Sequence, residues 1–478
     1  MGDMVEQISL REDPIGIAPE RALVFVTAGS ISGFARAAEK VGLELFAEVE
    51  IEPVDEFPEG FKPASDSELL NRTLYATIPN ITVFNQIISL WTAYSKDENA
   101  PYGYAPLWNL FDCLIDLRPW GPADRLNDET AAVILDRLPT EGQTEACIEI
   151  EIWPTKSDAK KRQWVKETKE KVAALGGRII DRSSINFEAF SYEAMLVGLP
   201  AKIIREMVMT PSKIDGLATL EGIQFILPQM IGMATPTRST PTNSQGGMDV
   251  PFAPELLARA ALFDGTPIAA HKGLQGGVSI EDIHDLVPRS QVSDRVHATA
   301  MASLILRGDL AQDGEPLSDS HLVSIPLLID NADNASSPSD RLFVDLLHIS
   351  LTKLFDGDEP VAPTVFVINF SIGVQETRFA GQMSALARLI DWWSNRAGVL
   401  FVISSGNISD DIIVRDMNFI EFEDANEEER KNIIQAAQNS RMATRTLLAP
   451  SEAINALTVG ALSKDMIDNP VPADPIHF

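Results

Sequence analysis

Residues 364–407 read TVFVINFSIGVQETRFAGQMSALARLIDWWSNRAGVLFVISSGN. Two short apolar runs, Thr364 to Phe370 and Val399 to Ser404, flank a stretch from Gly381 to Ala397 whose apolar residues recur at helical spacing. Strands that are apolar throughout, rather than at alternate positions, belong to a parallel sheet covered on both faces. Working outward, the runs Leu257 to Phe263, His321 to Ile329 and Ala456 to Val459 predict further strands, and Val296 to Leu306 and Asp340 to Phe355 predict helices. Residues 251–478 are therefore expected to be an α/β domain.

Upstream, Ala234 to Val250 reads ATPTRSTPTNSQGGMDV, which has the composition of a linker. Before it, residues 145–233 carry the order strand, helix, strand, strand, helix, strand: ACIEIEIWP, a charged helix stopped by Gly176 and Gly177, RIIDRSSI, a run from Phe187 to Val197, LPAKIIREMV and GIQFILPQ. That is the ferredoxin-like pattern. Residues 1–140 open with RALVFVTAG, SGFARAAEKVG and LELFAEVEIE, a strand-helix-strand unit of an α+β domain. The expected architecture is thus two α+β domains, 1–140 and 145–233, a linker at 234–250, and the α/β domain at 251–478.

The 39 basic and 69 acidic side chains give a formal net charge of −30, which opposes binding to a polyanion, so nucleic acid is excluded as a partner. Cys113 and Cys147 are too few for a disulfide scaffold and sit in no metal-ligand pattern. The first twenty residues are acidic and lack the apolar stretch of a signal peptide, and no apolar run reaches the eighteen residues of a membrane span. A cytoplasmic protein without a membrane partner is expected.

In open α/β sheets, reactive side chains gather at the carboxyl ends of strands. Asp264 ends the strand in RAALFDGTP, His297 opens the helix in RVHATAMASLIL, and Asn407 closes VLFVISSGN. Together they suit acyl transfer: a carboxylate orients the histidine and stabilises its imidazolium, the histidine moves the proton, and an amide donates to the oxyanion. Singly, each also has a structural reading, as turn cap, helix-start histidine and left-handed turn residue. Ser384, in GQMSALARL, superficially matches a nucleophile turn but falls on a predicted helix. His271, His284 and His297 are thirteen residues apart, which places no two on one helix face, and no cofactor fingerprint, metal pattern or calcium-loop spacing occurs.

Taken in chain order, these residues resemble the subtilisin-like (S8) serine peptidases over about residues 257–463. LFDG is similar to the family's aspartate motif, VHATAMASLI to its His-Gly-Thr helix, and VINFSIG with VLFVISSGN to its substrate strand and oxyanion Asn; SEAINALTVGAL resembles the segment that follows. The resemblance implies a subtilisin-like parallel-sheet domain with Asp264, His297 and Asn407 catalytic. It also implies that Ser371, Ile372 and Gly373 pair with an extended protein or peptide substrate, and that Ser405 and Gly406 edge the pocket before the cut. Ala298 stands where the family usually has Gly, and Gly265 where Ser or Thr is common. The family's Gly-Thr-Ser nucleophile motif does not follow Asn407, so the expectation is a C-terminally incomplete peptidase domain, inactive alone, with the serine beyond this chain. The alternatives are a non-catalytic peptide-binding pseudoprotease and a split enzyme needing a second chain. The N-terminal units and LRPWGPADR at 117–125 resemble a bacterial intracellular S8 subgroup, which implies an AAA-type ATPase partner, and residues 146–233 resemble the family's inhibitory propeptides.

Overall fold

The structure is a computed structural model. It describes residues 22–54, 70–78, 81–96, 98–139, 145–155, 157–187, 190–213, 216–234, 252, 257–308, 320–332, 334–379, 383–407, 414, 419–440 and 445–460. Of the linker expected at 234–250, Ala234 ends a short strand and the rest lies outside these, as do the first twenty residues and the closing DNPVPADPIHF. The chain forms two compact units: Met1–Ala146 with Thr155–Gly176 and Leu199–Leu227, and Cys147–Pro154 with Gly177–Gly198 and Pro228–Phe478. Residues expected to form one domain at 145–233 contribute to both.

The first unit begins with β1 (Leu23–Ala28), α1 (Phe34–Val41), β2 (Glu44–Val54) and β3 (Leu70–Ile78), followed by α2 (Ile81–Tyr94), α3 (Ala105–Cys113), β4 (Leu114–Pro119), α4 (Pro122–Arg125) and α5 (Asp128–Asp136). Its sheet runs β2-β3-β1-β4, antiparallel throughout, and Phe25, Phe34, Tyr75, Leu107 and Leu110 are buried in the core between sheet and helices. Trp91, Tyr94, Trp108 and Phe111 pack edge-on or tilted against one another, as aromatic quadrupoles favour. The LRPWGPADR segment is a clamp within this unit. Arg118 forks onto Asp124, Trp120 Nε1 donates to Gln224 O (2.9 Å), and the buried Arg125 donates to Ile223 O (2.7 Å) and Ala218 O (3.1 Å).

Next come β5 (Glu145–Ile152), α6 (Asp158–Ala174), β6 (Arg178–Asn186), β7 (Ser191–Pro200), α7 (Ala201–Met209) and β8 (Ile223–Pro228), whose strands form one sheet in the order β6-β7-β5-β8.

The second unit holds β9 (Met233–Ala234), β10 (Ala258–Asp264), β11 (Val278–Ile280), α8 (Val296–Arg307), β12 (His321–Pro326), β13 (Ile329–Asp330), β14 (Ala335–Ser336) and α9 (Phe343–Phe355). It continues with β15 (Val367–Phe370), β16 (Val374–Arg378), α10 (Ala385–Ala397), β17 (Leu400–Ser404), α11 (Phe419–Asp424), α12 (Glu427–Asn439), β18 (Leu448–Ala449) and β19 (Ala456–Val459). A six-stranded sheet runs β11-β12-β10-β15-β17-β19 with every pair parallel. Along β10, Ala261 and Phe263 face the cluster built with α9 and α10, while Leu262 faces the one built with α8. Covering both faces is what makes the strands apolar without alternation. The run expected to be a strand from His321 to Ile329 stops at Pro326: the Leu327 N–H makes the last bond of the ladder to Asp264 O (2.8 Å), and the Leu328 N–H turns back onto the same carbonyl (3.2 Å).

Candidate active site

β10 delivers Asp264 at its carboxyl end, where the carboxylate is fully buried. Two tethers fix it: its own carbonyl receives the Leu327 and Leu328 amides, and the Gly265 N–H donates to Oδ1 (2.6 Å). The neighbouring α8 places His297 in its first turn. Its Nδ1–H donates to the Asp264 carboxylate, 2.9 Å from Oδ1 and 2.8 Å from Oδ2, since a carboxylate can only accept. Thr299 joins helix to turn: its Oγ1 donates to Arg295 O and accepts from Ile268 N (2.9 Å), tying the segment after Asp264 to the helix bearing His297. Ala298, the departure from Gly beside His297, is fully buried in α8.

Burial pushes the His297 imidazole down. The hydrogen bond and charge of Asp264, with the charge of Asp330, outweigh that and hold it above the ordinary histidine value. Nε2 makes no hydrogen bond among the described residues, and the side chain keeps 15% of its surface exposed. An imidazole held at Nδ1 and open at Nε2 can take a proton from a hydroxyl and return it to a leaving group.

The remaining expected residues lie on the strands beyond β10. After β15, Ser371 Oγ donates to Asn369 Oδ1 (2.9 Å), Ile372 is buried, and Gly373 is paired: its N–H donates to Met233 O (3.1 Å) and its carbonyl accepts from Met233 N (2.9 Å). On its other side, β9 pairs antiparallel with β14, Met233 opposite Ser336 and Ala234 opposite Ala335. A two-residue piece of this chain thus fills the place of a middle strand between 335–336 and Gly373. Gly232 fits beneath because a Cβ there would overlap the Phe343 ring. After β17, Ser405 donates its N–H to Val459 O (3.0 Å) and accepts from Leu448 N (3.2 Å). Gly406 has φ +93°, and a Cβ on it would come within 2.6 Å of Leu448. Asn407 follows, exposed, with no side-chain hydrogen bond among the described residues.

Asp264 and His297 are therefore brought into direct contact, and Gly373 and Gly406 into neighbouring backbone, with 3.6 Å between a Cβ on Gly373 and the Gly406 Cα. Ser384 is the N-cap of α10, accepting from Ala387 N (3.1 Å). His284 and His271 are engaged elsewhere, on Leu346 O and Ser350 Oγ and on Gly273 N. Two features had no sequence signal strong enough to find them: the Met233 strand, two residues long, and Asp330, which directly follows the apolar run His321 to Ile329.

A model of the subtilase family, Peptidase_S8, matches residues 279–471. The chain contains a subtilase domain. The matched span includes His297, Ser371–Gly373 and Ser405–Asn407, while Asp264 precedes it on the same parallel sheet. The family supports a serine-protease-like enzyme class for the subtilase domain. No curated protein matches the chain. Among solved structures, an unknown protein from Galdieria sulphuraria is similar at 10% identity, covering 41% of this chain and 91% of that one with a TM-score of 0.13, a value too low to indicate a shared function. Among the described residues, no helix is long and apolar enough to cross a membrane, and no group of three or more His, Cys, Asp or Glu side chains could hold a metal ion.

Proposed function

We propose that this chain is the greater part of a serine endopeptidase that hydrolyses peptide bonds by an Asp-His-Ser mechanism, its nucleophilic serine lying outside these 478 residues. The observation that carries the reading is the Asp264–His297 pair, with Nδ1 bound and Nε2 open. In the reaction, Nε2 takes the serine proton as Oγ attacks the carbonyl, Asp264 stabilises the imidazolium, and the proton then passes to the leaving amine. Asn407 would donate to the oxyanion from the end of the β17 segment. Ser371, Ile372 and Gly373 would add the substrate as a strand, and Ser405 and Gly406 would edge the pocket.

Residues 145–233 are, in this reading, a ferredoxin-like domain resembling a propeptide, whose end at Met233 occupies the place of substrate. The strand order β6-β7-β5-β8 and the Met233–Gly373 bridge support it. A cytoplasmic location and an AAA-type ATPase partner are part of the same proposal, drawn from composition and resemblance.

The Met233–Gly373 bridge also favours a second reading, a pseudoprotease that holds an extended peptide without cutting it. Incubating the native protein from its source with a fluorophosphonate probe and measuring its intact mass separates the two. A mass above 52.3 kDa carrying one adduct is expected. A mass equal to this chain with no adduct would leave only the binding role, and labelling that appears only on mixing two polypeptides would mean a split enzyme. In the labelled protein, His297→Ala should abolish peptide cleavage; unchanged cleavage sinks the assignment.

A further inference from the structure

Behind the Asp264–His297 pair lies a second buried carboxylate. Asp330, at the end of β13, is only 2% exposed. Its Oδ2 accepts the Thr266 N–H (2.9 Å), and its own N–H donates to Ser290 Oγ (2.9 Å). The carboxylate lies against Gly265 so closely that a Cβ on that glycine would overlap it. This is why Gly stands directly after Asp264: the space a Ser or Thr side chain would fill is taken by Asp330. Three atoms around the turn are buried with no hydrogen-bond partner among the described residues, namely Asp330 Oδ1, Thr266 Oγ1 and Arg295 Nε. Arg295 itself is held by Nη2 donating to Val287 O (2.8 Å) and Ser290 O (3.0 Å), two residues before His297.

We propose that Asp330 is a positioning residue for the Asp264–His297 pair, bracing the Gly265–Thr266 turn from behind and setting a second negative charge beside the first. The charge count gives the physical sense. With both carboxylates ionised, Asp264 and Asp330 supply two negative charges and Arg295 one positive, so a proton on the imidazole brings the buried group to neutrality. Loss of the Asp330 charge would leave the histidine with the contribution of Asp264 alone. The groups that bear on His297 are Asp264 and Asp330, and those that bear on Asp330 are Asp264 and Arg295. Burial, followed by the hydrogen bonds from Thr266 and Ser290 that oppose it, leaves the Asp330 carboxyl above the usual carboxylate range, as a second acid near a first should be.

The inference deepens the peptidase reading, yet its test needs no activity. Histidine Hε1 titration by NMR on the 478-residue chain, with His297 assigned by loss of its signal in His297→Gln, is compared with Asp330→Asn, whose amide oxygen can keep the Thr266 bond while the charge is lost. The His297 midpoint should fall by about half a pH unit or more, with His284 and His348 unmoved. A folded Asp330→Asn protein with an unmoved His297 midpoint overturns the proposal. If Asp330→Asn does not fold, the bracing contact decides: Gly265→Ala alone should lose cooperative unfolding and Gly265→Ala with Asp330→Gly should regain it, whereas no rescue, or a Gly265→Ala protein as stable as the parent, overturns it. Absence of fluorophosphonate labelling of the native protein from its source, with the NMR shift present, sinks the peptidase reading and leaves the Asp330 assignment standing; labelling of that protein without the shift does the reverse.

Discussion

His284 commits Nε2 to Leu346 O and Ser350 Oγ, and His348 packs on Trp393 and Phe187; burial holds both imidazoles below the usual histidine value of 6.5. As pH falls, the unfolded chain takes up these protons first. Their contribution to stability is thus whole above about 6.5 and is lost as pH drops through that value towards the lower folded ones. His297 has the opposite sign, its pairing with Asp264 being fully stabilising below 6.5 and lost as pH rises through its higher folded value. Melting curves from pH 7.5 to 5 should accordingly show Tm falling on the acid side, and His284→Gln should flatten that limb. Gly406 carries a different constraint. With φ +93° and Leu448 in the way of a Cβ, Gly406→Ala should cost about 1–3 kcal/mol in denaturant unfolding. Asp264 and His297 were legible because a lone Asp at a strand end and a lone His at a helix start follow each other in an α/β pattern. Asp330 was not, since nothing in its neighbours signals that a glycine sixty-five positions earlier makes room for it.

At the scale of elements, continuous apolar runs located five strands of the six-stranded parallel sheet and missed the sixth, the three-residue β11 at Val278–Ile280; the other discrepancies in that sheet sit at strand ends. The run from Thr364 begins pairing with neighbours through side chain and loop, Thr364 Oγ1 to Ala258 O and Phe366 N to Arg259 O, before β15 proper starts at Val367. Hydropathy cannot distinguish such lead-in residues from the ladder. The helix expected from Gly381 starts at Ala385 because Ser384 caps it, with Glu452 Oε1 accepting the Ser384 N–H (3.0 Å). Ser384→Ala should therefore lower stability by about 1 kcal/mol, measured by urea unfolding, without altering the Asp264–His297 contact read from the His297 titration. The β9 strand was illegible for a simpler reason: two residues hold no period. Its N–H to Gly373 is nonetheless a specific bond, and Met233→Pro, which removes that donor, should raise the affinity of added extended peptides for the Gly373 strand. Unaltered peptide binding, followed by fluorescence anisotropy, would count against occupancy of the cleft by residues 233–234.

For the molecule as a whole, composition set limits that local pattern could not. A formal charge of −30 on 478 residues works against compactness through self-repulsion, so raising salt from about 10 mM to about 500 mM should raise Tm; a flat response would mean that the acidic groups are already neutralised locally. The sequence order of elements at 145–233 was readable, but their sharing between two compact units was not, because periodicity reports which face of an element is buried and is silent about the partner that buries it. LRPWGPADR, conspicuous as a motif, turned out to hold its own unit together through Arg118, Trp120 and Arg125. The placement of Met233 between Ser336 and Gly373 has a geometric corollary. Two strand spacings set the flanking backbones about 9.5 Å apart, a gap filled by one extended chain and too narrow for an α-helix about 10–12 Å across. Whatever takes the place of residues 233–234 has to arrive as a single unravelled thread, admitted by the shape of its main chain before any side chain is inspected.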